Sequence, residues 1–470
     1  MIRHLPACVV LLAFVSQASA EPNFVIFIAD DMAWNDCGPY GHAKIKTPNI
    51  DRLANEGLRF DRAYLTCSSC SPSRCSTLTG RYPHSTDAGE LHLPLPASQT
   101  LFSTPLREKG YYTASVGKWH LGNEVISQMD LVKQGGGPGG EGDWVETVKN
   151  RPKDKPFFFW LAATDPHRSY NPDKIENRHT ADDANVPPYF PDISVVREDL
   201  ANYYDEISRF DEYIGKVLNV LQEQGVLDET LILVMSDNGR PFPRCKTTIL
   251  EDGVKTPFIV RYPPLVKPGT MTNSIVSTID IAPTFIELAG AAKPDSFQGK
   301  SFVPILRRPK AILNLSAFSE HNWHDYRAYE RSVCTEKYRY VKNWLPELPR
   351  TPPADAVRSP TYNAMQRLLA EGKLNAAQIQ VFNKPQPAEE LFDIINDPHC
   401  LKNLLEVEKV SEEINRIHYE HLGMLTQWQH MTGDEFPGKD GITPDGFDRV
   451  DGTRLPGVAA PHPSFVKKKK

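Results

Sequence analysis

Three cysteines fall within nine positions in the stretch CSSCSPSRCSTLTG, residues 67 to 80. Cys67-x-x-Cys70 has the spacing of a redox pair, and Cys75 adds a third soft metal ligand. No fourth sulfur or Cys-His pair lies nearby to complete a zinc site. A disulfide through Cys67 or Cys75 is compatible with any role for Cys70. Ser71 and Pro72 suit the N-cap and first position of a helix that Gly80 stops. Position 70 is therefore expected at a positive helix end, where an anion is welcome.

Four other polar groups carry chemistry. Asp30, Asp31, Asp237 and Asn238 make an all-oxygen set with three carboxylates, which favours a hard divalent cation over zinc. For any one aspartate alone, a helix cap or a solvated strand end is the plain alternative. Lys118 and His120 are two apart, so on an extended chain their side chains face the same way. His167 follows Asp165-Pro166, and Arg74 lies one helical turn from Cys70. A structural role is the competing reading for either histidine.

The elements that must position these groups are legible as apolar runs that stop at polar residues. Val25 to Ile28 ends in Asp30-Asp31, and Thr113 to Val116 leads to Lys118 and His120. Phe157 to Ala163 leads to Asp165-Pro166-His167, and Leu231 to Met235 leads to Asp237-Asn238-Gly239. Such runs read as buried parallel strands. Between them a helix opens at Thr47-Pro48 and closes at Gly57, and a second shows the apolar stripe Leu200, Tyr203, Ile207, Phe210, Ile214, Val217 and Leu221. Alternating strands and helices predict an α/β fold, a large and mostly parallel sheet between helices. The carboxyl ends of its strands share one edge, where ligands bind.

The chain of 470 residues is long for one core, and 40% hydrophobic with 24% charged residues is ordinary globular composition. A formal net charge of -6 excludes a strongly basic nucleic-acid binder. Residues 1–20 read as a signal peptide cleaved near Ala20, so the chain is expected to be exported, and no later stretch is long enough to span a membrane. The seven cysteines after it are an odd number for a fully paired framework. Residues 21–308 are expected to form the catalytic domain, with Gly135 to Gly140 a mobile surface loop. Residues 309–450 are expected to form a smaller α+β domain, with a hairpin in RSVCTEKYRYVKNW and a helix near Val410 to Gln427. Residues 451–470 read as a disordered basic tail. Nothing in the sequence sets an oligomeric state.

Cys70-Ser71-Pro72-Ser73-Arg74 resembles the signature of the formylglycine-dependent sulfatases, and its surroundings match too: IADDM, TGRYPH, GKWHLG, DPH and SDNG, in the family's order. Within that family the chain is most similar to the heparan N-sulfatase branch, through DPHRSY, DNGRPFP, RSPTYNAMQRL and ELFDIINDPH. The resemblance implies an alkaline-phosphatase-like fold and conversion of Cys70 to an aldehyde by a formylglycine-generating or sulfatase-maturating enzyme. It implies Ca²⁺ on Asp30, Asp31, Asp237 and Asn238, beside the modified residue 70. It assigns Lys118 to sulfate and the formylglycine, His120 to the base assisting sulfate release, and His167 to protonation of the leaving atom. Lys246 matches a family position that is Arg in the nearest branch; Lys255, the competing choice, better suits a strand start after Gly253. Glu90, His92, Glu320, His321 and Arg327 are candidate specificity residues, with packing of the domain interface as the alternative. A sulfated saccharide is the implied substrate, N-sulfoglucosamine foremost. An O-sulfatase on an algal-type polysaccharide, a phosphodiesterase or phosphonate hydrolase, and an inactive glycan-binding protein are the alternatives.

Overall fold

The structure, a computed structural model, describes residues 21–171 and 175–457. The expected signal peptide and the terminal lysines Lys467 to Lys470 lie outside the described residues. Fourteen strands occur among the described residues: β1 (Asn23–Ala29), β2 (Leu58–Phe60), β3 (Ala63–Tyr64), β4 (Tyr112–Gly117), β5 (Leu131–Lys133), β6 (Phe157–Ala162), β7 (Thr230–Ser236), β8 (Phe258–Arg261), β9 (Thr270–Thr272), β10 (Val276–Ser277), β11 (Ala317–His321), β12 (Glu330–Cys334), β13 (Tyr338–Asn343) and β14 (Glu389–Asp393). Eight make one sheet in the order β5-β4-β6-β1-β7-β8-β2-β9. Its centre is parallel, and only the pairings of β8 with β7 and β2 are antiparallel.

Alternation along β1 explains why the sheet is covered on both faces. Phe24, Ile26 and Ile28 join one core with Leu78, Ile281 and Phe285, whereas Val25, Phe27 and Ala29 join another with Leu200, Tyr203, Ile207 and Phe210. The first set receives the helices Cys70–Thr79 and Ile281–Ala289, and the second receives the thirty-residue helix Ser194–Glu223. Its predicted apolar stripe is buried throughout. The helix Pro48–Asn55 forms where Thr47-Pro48 suggested.

The expected hairpin is present as β12 and β13, in an antiparallel sheet ordered β11-β12-β13-β14. One face of that sheet packs Val333, Tyr340 and Leu391 against Ile417, Leu425 and Trp428 of the helix Glu412–Thr432. Its other face sends Ala317, Cys334, Val341 and Phe392 into the core of the large sheet. The helix Pro360–Ala370 likewise packs Tyr362 and Met365 into the core beside the long helix. Both parts of the chain thus share apolar cores.

Several expectations shift. The helix starts at Cys70 itself with extended Ser69 as its N-cap, so Ser71 and Pro72 occupy its second and third positions. Proline is tolerated there because the first N–H groups of a helix lack intrahelical partners. Lys255 precedes rather than starts β8, and its ammonium lies 3.8 Å over the Trp34 ring. The stretch Gly135 to Gly140 is not a free surface loop. Gly139 and Gly140 are buried, and a Cβ on Gly139 would stand 2.2 Å from the Asp165 carboxylate. Glycine is needed there for close approach. Residues 451–457 do not open a tail: Arg454 bridges Phe447, and Gly452 accepts from the Arg358 guanidinium. All seven described cysteines are buried and free, so neither Cys67 nor Cys75 is in a disulfide.

Candidate active site

β1 and β7 are parallel neighbours with Ala29 opposite Ser236. The next residues on each, Asp30-Asp31 and Asp237-Asn238, therefore emerge side by side. β4 delivers Lys118 and β6 delivers Asp165-Pro166-His167 at the same edge, since Gly117 pairs with Ala162. The four sequence clusters meet as the strand pattern required.

Cys70 completes the cluster from above. The Asn238 amide donates to its Sγ at 3.2 Å, and Sγ lies 3.6 Å from Asp30 Oδ1 and 3.9 Å from Asp31 Oδ1. Asp30, Cys70 and Asp237 present atoms within 4.8 Å of one another. Each carboxylate has a cation. Lys118 pairs with Asp30, Lys246 Nζ lies 2.6 Å from Asp31 Oδ2, and Arg74 donates to Asp237 Oδ2 from Nε at 2.7 Å. Arg74 Nη1 also donates to the Lys118 carbonyl at 2.6 Å, tying the helix to the end of β4.

These carboxylates differ in their protonation. Burial pushes Asp30 up, but Lys118, His167, Arg74 and Lys246 outweigh it and hold Asp30 well below the usual carboxylate range. Burial raises Asp31 to about 7 despite Lys246, with the charge of Asp30 adding to the rise. Burial likewise raises Asp237 to about 6 against Arg74. The Cys70 thiol is pushed up by burial, more than Lys118 and Lys246 can offset. Left as a thiol it is a poor nucleophile.

The same oxygen set fits a hard cation. Asn238 Oδ1 is buried without a partner while Nδ2 donates to Asp31 and Asp237. Amide oxygen and nitrogen exchange by rotation about one bond, so Oδ1 can join Asp30, Asp31 and Asp237 as a fourth oxygen ligand.

His167 Nε2 lies 3.8 Å from Asp31 and 3.6 Å from Asp355, while Nδ1 contacts the Arg168 carbonyl. Burial and Lys246 depress its pKa. His120 departs from the extended geometry expected of it: its φ is +61°, so it does not share a direction with Lys118 through strand alternation. Instead its Nε2 meets His92 Nδ1 at 2.7 Å, and His92 N–H donates to Ser71 Oγ on the Cys70 helix at 2.7 Å. Burial, with Lys118 next, pushes His120 well below its ordinary value, and burial takes His92 to about 4. Both rings are neutral near pH 7.

The remaining specificity candidates divide. Glu90 accepts from Thr443 at 2.6 Å, and His321 and Arg327 line a pocket with His324, Tyr326 and Arg350. Glu320 stands apart: it is fully buried, 3.0 Å from His84 Nδ1 and 3.5 Å from Arg331. Three features had no sequence signal. His324 Nδ1 meets Ser69 Oγ at 2.7 Å, Asp355 reaches His167, and Arg209 grips Asp165 through two hydrogen bonds at 2.6 and 2.8 Å.

The fold and this edge define a hydrolase class in which a buried residue at a helix start faces clustered carboxylates and cations. The family model described as Sulfatase matches residues 22–130 and 143–291, and the chain belongs to that family. A second model, N-sulphoglucosamine sulphohydrolase, C-terminal, matches residues 245–346. An ulvan-active sulfatase of Formosa agariphila is 29% identical, over 88% of this chain and 76% of that one. The human N-sulphoglucosamine sulphohydrolase is 28% identical, over 92% and 94% of the two chains. Among solved structures, that of BT4656 in complex with its substrate D-glucosamine-2-N,6-O-disulfate has a TM-score of 0.67 at 20% identity, covering 89% of this chain and 99% of that one. A 2-O GAG sulfatase, BT1596, gives 0.67 at 19%, covering 93% and 99%. These likenesses establish the alkaline-phosphatase-like fold.

Proposed function

We propose that this chain is an exported sulfohydrolase that removes sulfate from a sulfated saccharide through a formylglycine made from Cys70. The observation that carries the reading is the position of Cys70 Sγ at a helix start, between Asn238, Asp30 and Asp31. There the thiol stands in for the oxygens of a hydrated aldehyde, which would supply one hydroxyl as the nucleophile and a second through which sulfate could be expelled. Asp30, Asp31, Asp237 and Asn238 would hold Ca²⁺, which supplies Lewis-acid polarisation of sulfate and nucleophile.

The rest of the chemistry falls to this chain's side chains. Arg74, Lys118 and Lys246 match the three carboxylates, so an anionic sulfate arriving with a divalent cation leaves the pocket near neutrality. Preorganised donors of this kind are typically worth ~2.7–4 kcal/mol each. His167, in the charged form that its depressed pKa makes a strong proton donor, delivers a proton to the leaving atom, and His120, oriented by His92, takes one as sulfate departs. Residues 21–308 form the catalytic part and 309–450 complete the pocket, as the contacts of His324 with Ser69 and Asp355 with His167 support. Among the described residues no helix is long and apolar enough to cross a membrane.

N-sulfated glucosamine is the favoured substrate, supported by the match at residues 245–346 and by the near-complete overlap with the human relative. The ulvan-active relative supports an O-sulfated polysaccharide as the second reading. The deciding experiment is mass spectrometry of the peptide spanning Cys70 from exported protein, paired with sulfate release before and after chelation and with Ca²⁺ restored. An aldehyde at position 70 and Ca²⁺-restored release are expected. Full activity with an intact thiol, or phosphate-ester turnover exceeding sulfate turnover, refutes the reading.

A further inference from the structure

Asp355 reaches the site from a position three residues before the RSPTYNAMQRL stretch, in a segment that carried no chemical motif of its own. It sits on the short helix Ala354–Val357, and one carboxylate oxygen is satisfied locally, Oδ1 accepting from the Ala356 N–H at 2.8 Å. The other, Oδ2, is buried, has no hydrogen-bond partner, and lies 3.6 Å from His167 Nε2. Asp31, His167 and Asp355 all present atoms within 4.8 Å of one another. Burial works to raise Asp355, but Lys246, His167 and Arg168 outweigh it, so the group is a carboxylate at neutral pH. A charged acceptor with one free oxygen therefore stands beside the proton donor for the leaving atom.

The two kinds of leaving group respond oppositely to such a charge. In O-sulfate cleavage the S–O bond breaks, its electron pair stays on oxygen, and that oxygen takes a proton to become a neutral alcohol. Negative charge develops on oxygen along the way, and a neighbouring carboxylate opposes it. In sulfamate cleavage the S–N bond breaks and its pair stays on nitrogen, which takes a proton from charged His167 Nε2 while the hydroxyl at position 70 bonds to sulfur and gives up its own proton to solvent. The amine so formed then takes a second proton from solvent and leaves as an ammonium ion. Nitrogen keeps N–H donors throughout, and its charge ends positive.

We infer that Asp355 is a specificity residue whose free oxygen receives the departing nitrogen of an N-sulfated amino sugar, selecting sulfamate over sulfate ester. The inference rests on the sulfohydrolase reading above. It goes further by naming the bond and the residue that selects it.

The test compares wild type with Asp355→Asn and Asp355→Glu, all verified to carry the aldehyde at position 70, on N-sulfated and 6-O-sulfated glucosamine. A charge-assisted hydrogen bond lost at the leaving atom should lower kcat/KM for the N-sulfated sugar at least about tenfold in Asp355→Asn. The O-sulfated sugar should change by less than about threefold or improve, and Asp355→Glu should recover part of the lost N-sulfate turnover. Asparagine keeps the acceptor for the Ala356 N–H, so a purely structural role would depress both substrates together. Equal losses on both sugars, or unchanged N-sulfate turnover, overturn the inference. Wild type that cleaves only the O-sulfated sugar also overturns it and leaves the sulfohydrolase reading standing. Wild type that carries the aldehyde and cleaves neither overturns both.

Discussion

Replacing Arg209 with methionine should expose how the loop bearing His167 is held. Arg209 is 4% exposed and grips both oxygens of Asp165, at 2.6 and 2.8 Å. It also donates to the Asn171 carbonyl at 3.1 Å and to Glu206 at 3.2 Å, with Glu141 3.8 Å away. One cation thus serves three buried carboxyl groups. Burial, with the charge of Asp165, already raises Glu141 to about 7 and Glu206 to about 8. Removing one partner from a buried ion pair costs about 3–5 kcal/mol, because a charge is left behind. Carboxyl groups raised in the folded state contribute stability that is full below their unfolded values and lost as pH rises through the folded ones. The penalty in Arg209→Met should therefore approach that range near pH 8 and shrink by about half or more near pH 6, where the cluster can protonate. Denaturant unfolding at both pH values, followed by fluorescence and by circular dichroism to verify a single transition, measures it. In the same variant kcat should fall more than the affinity for substrate, since Asp165 lies two residues before His167. A penalty equal at the two pH values, or below about 1 kcal/mol at both, would refute this account of the cluster.

Lys246→Met should lower kcat by about 10²–10³-fold by removing a preorganised donor, whereas Lys246→Arg should keep the contact with Asp31 and stay within about tenfold; steady-state sulfate release distinguishes the two. His84 is pulled down by burial, but Glu320 and Asp434 outweigh it and raise it above its ordinary value. Its contribution is therefore fully present below the unfolded pKa and disappears as pH rises through the folded one. Wild type should exceed His84→Gln in stability by about 1–3 kcal/mol near pH 5.5, with the gap closing toward alkaline pH in paired thermal melts.

The sequence disclosed four strands of the large sheet, β1, β4, β6 and β7, because each is a largely apolar run that breaks at polar residues, the pattern of a strand covered on both faces. It disclosed the site for the same reason, since those breaks share one edge of a parallel sheet. What stayed hidden depends on approach between distant segments. Asp355 follows two prolines with no periodicity to mark it, and Arg209 sits beside Ile207 and Phe210 on a helix where a charge ordinarily reads as solvated. The orientation of His120 is not legible either, because its left-handed backbone leaves no trace in the spacing from Lys118. The glycines of 135–140 suggested mobility, whereas here they admit the backbone against Asp165 and β4.

The helix Ser194–Glu223 touches the site at two levels. The Tyr203 hydroxyl accepts from the Ala33 N–H at 2.9 Å, just past the aspartate pair, and Arg209 holds Asp165. The anchors are six positions apart, about 9 Å along a helix axis, so the spacing of two loops at the candidate site is inherited from helical pitch. A one-residue insertion between them would swing one anchor by about 100° relative to the other. The length of that interval is therefore set by the two loops it anchors, and of the five residues between the anchors only Ser208 is not buried.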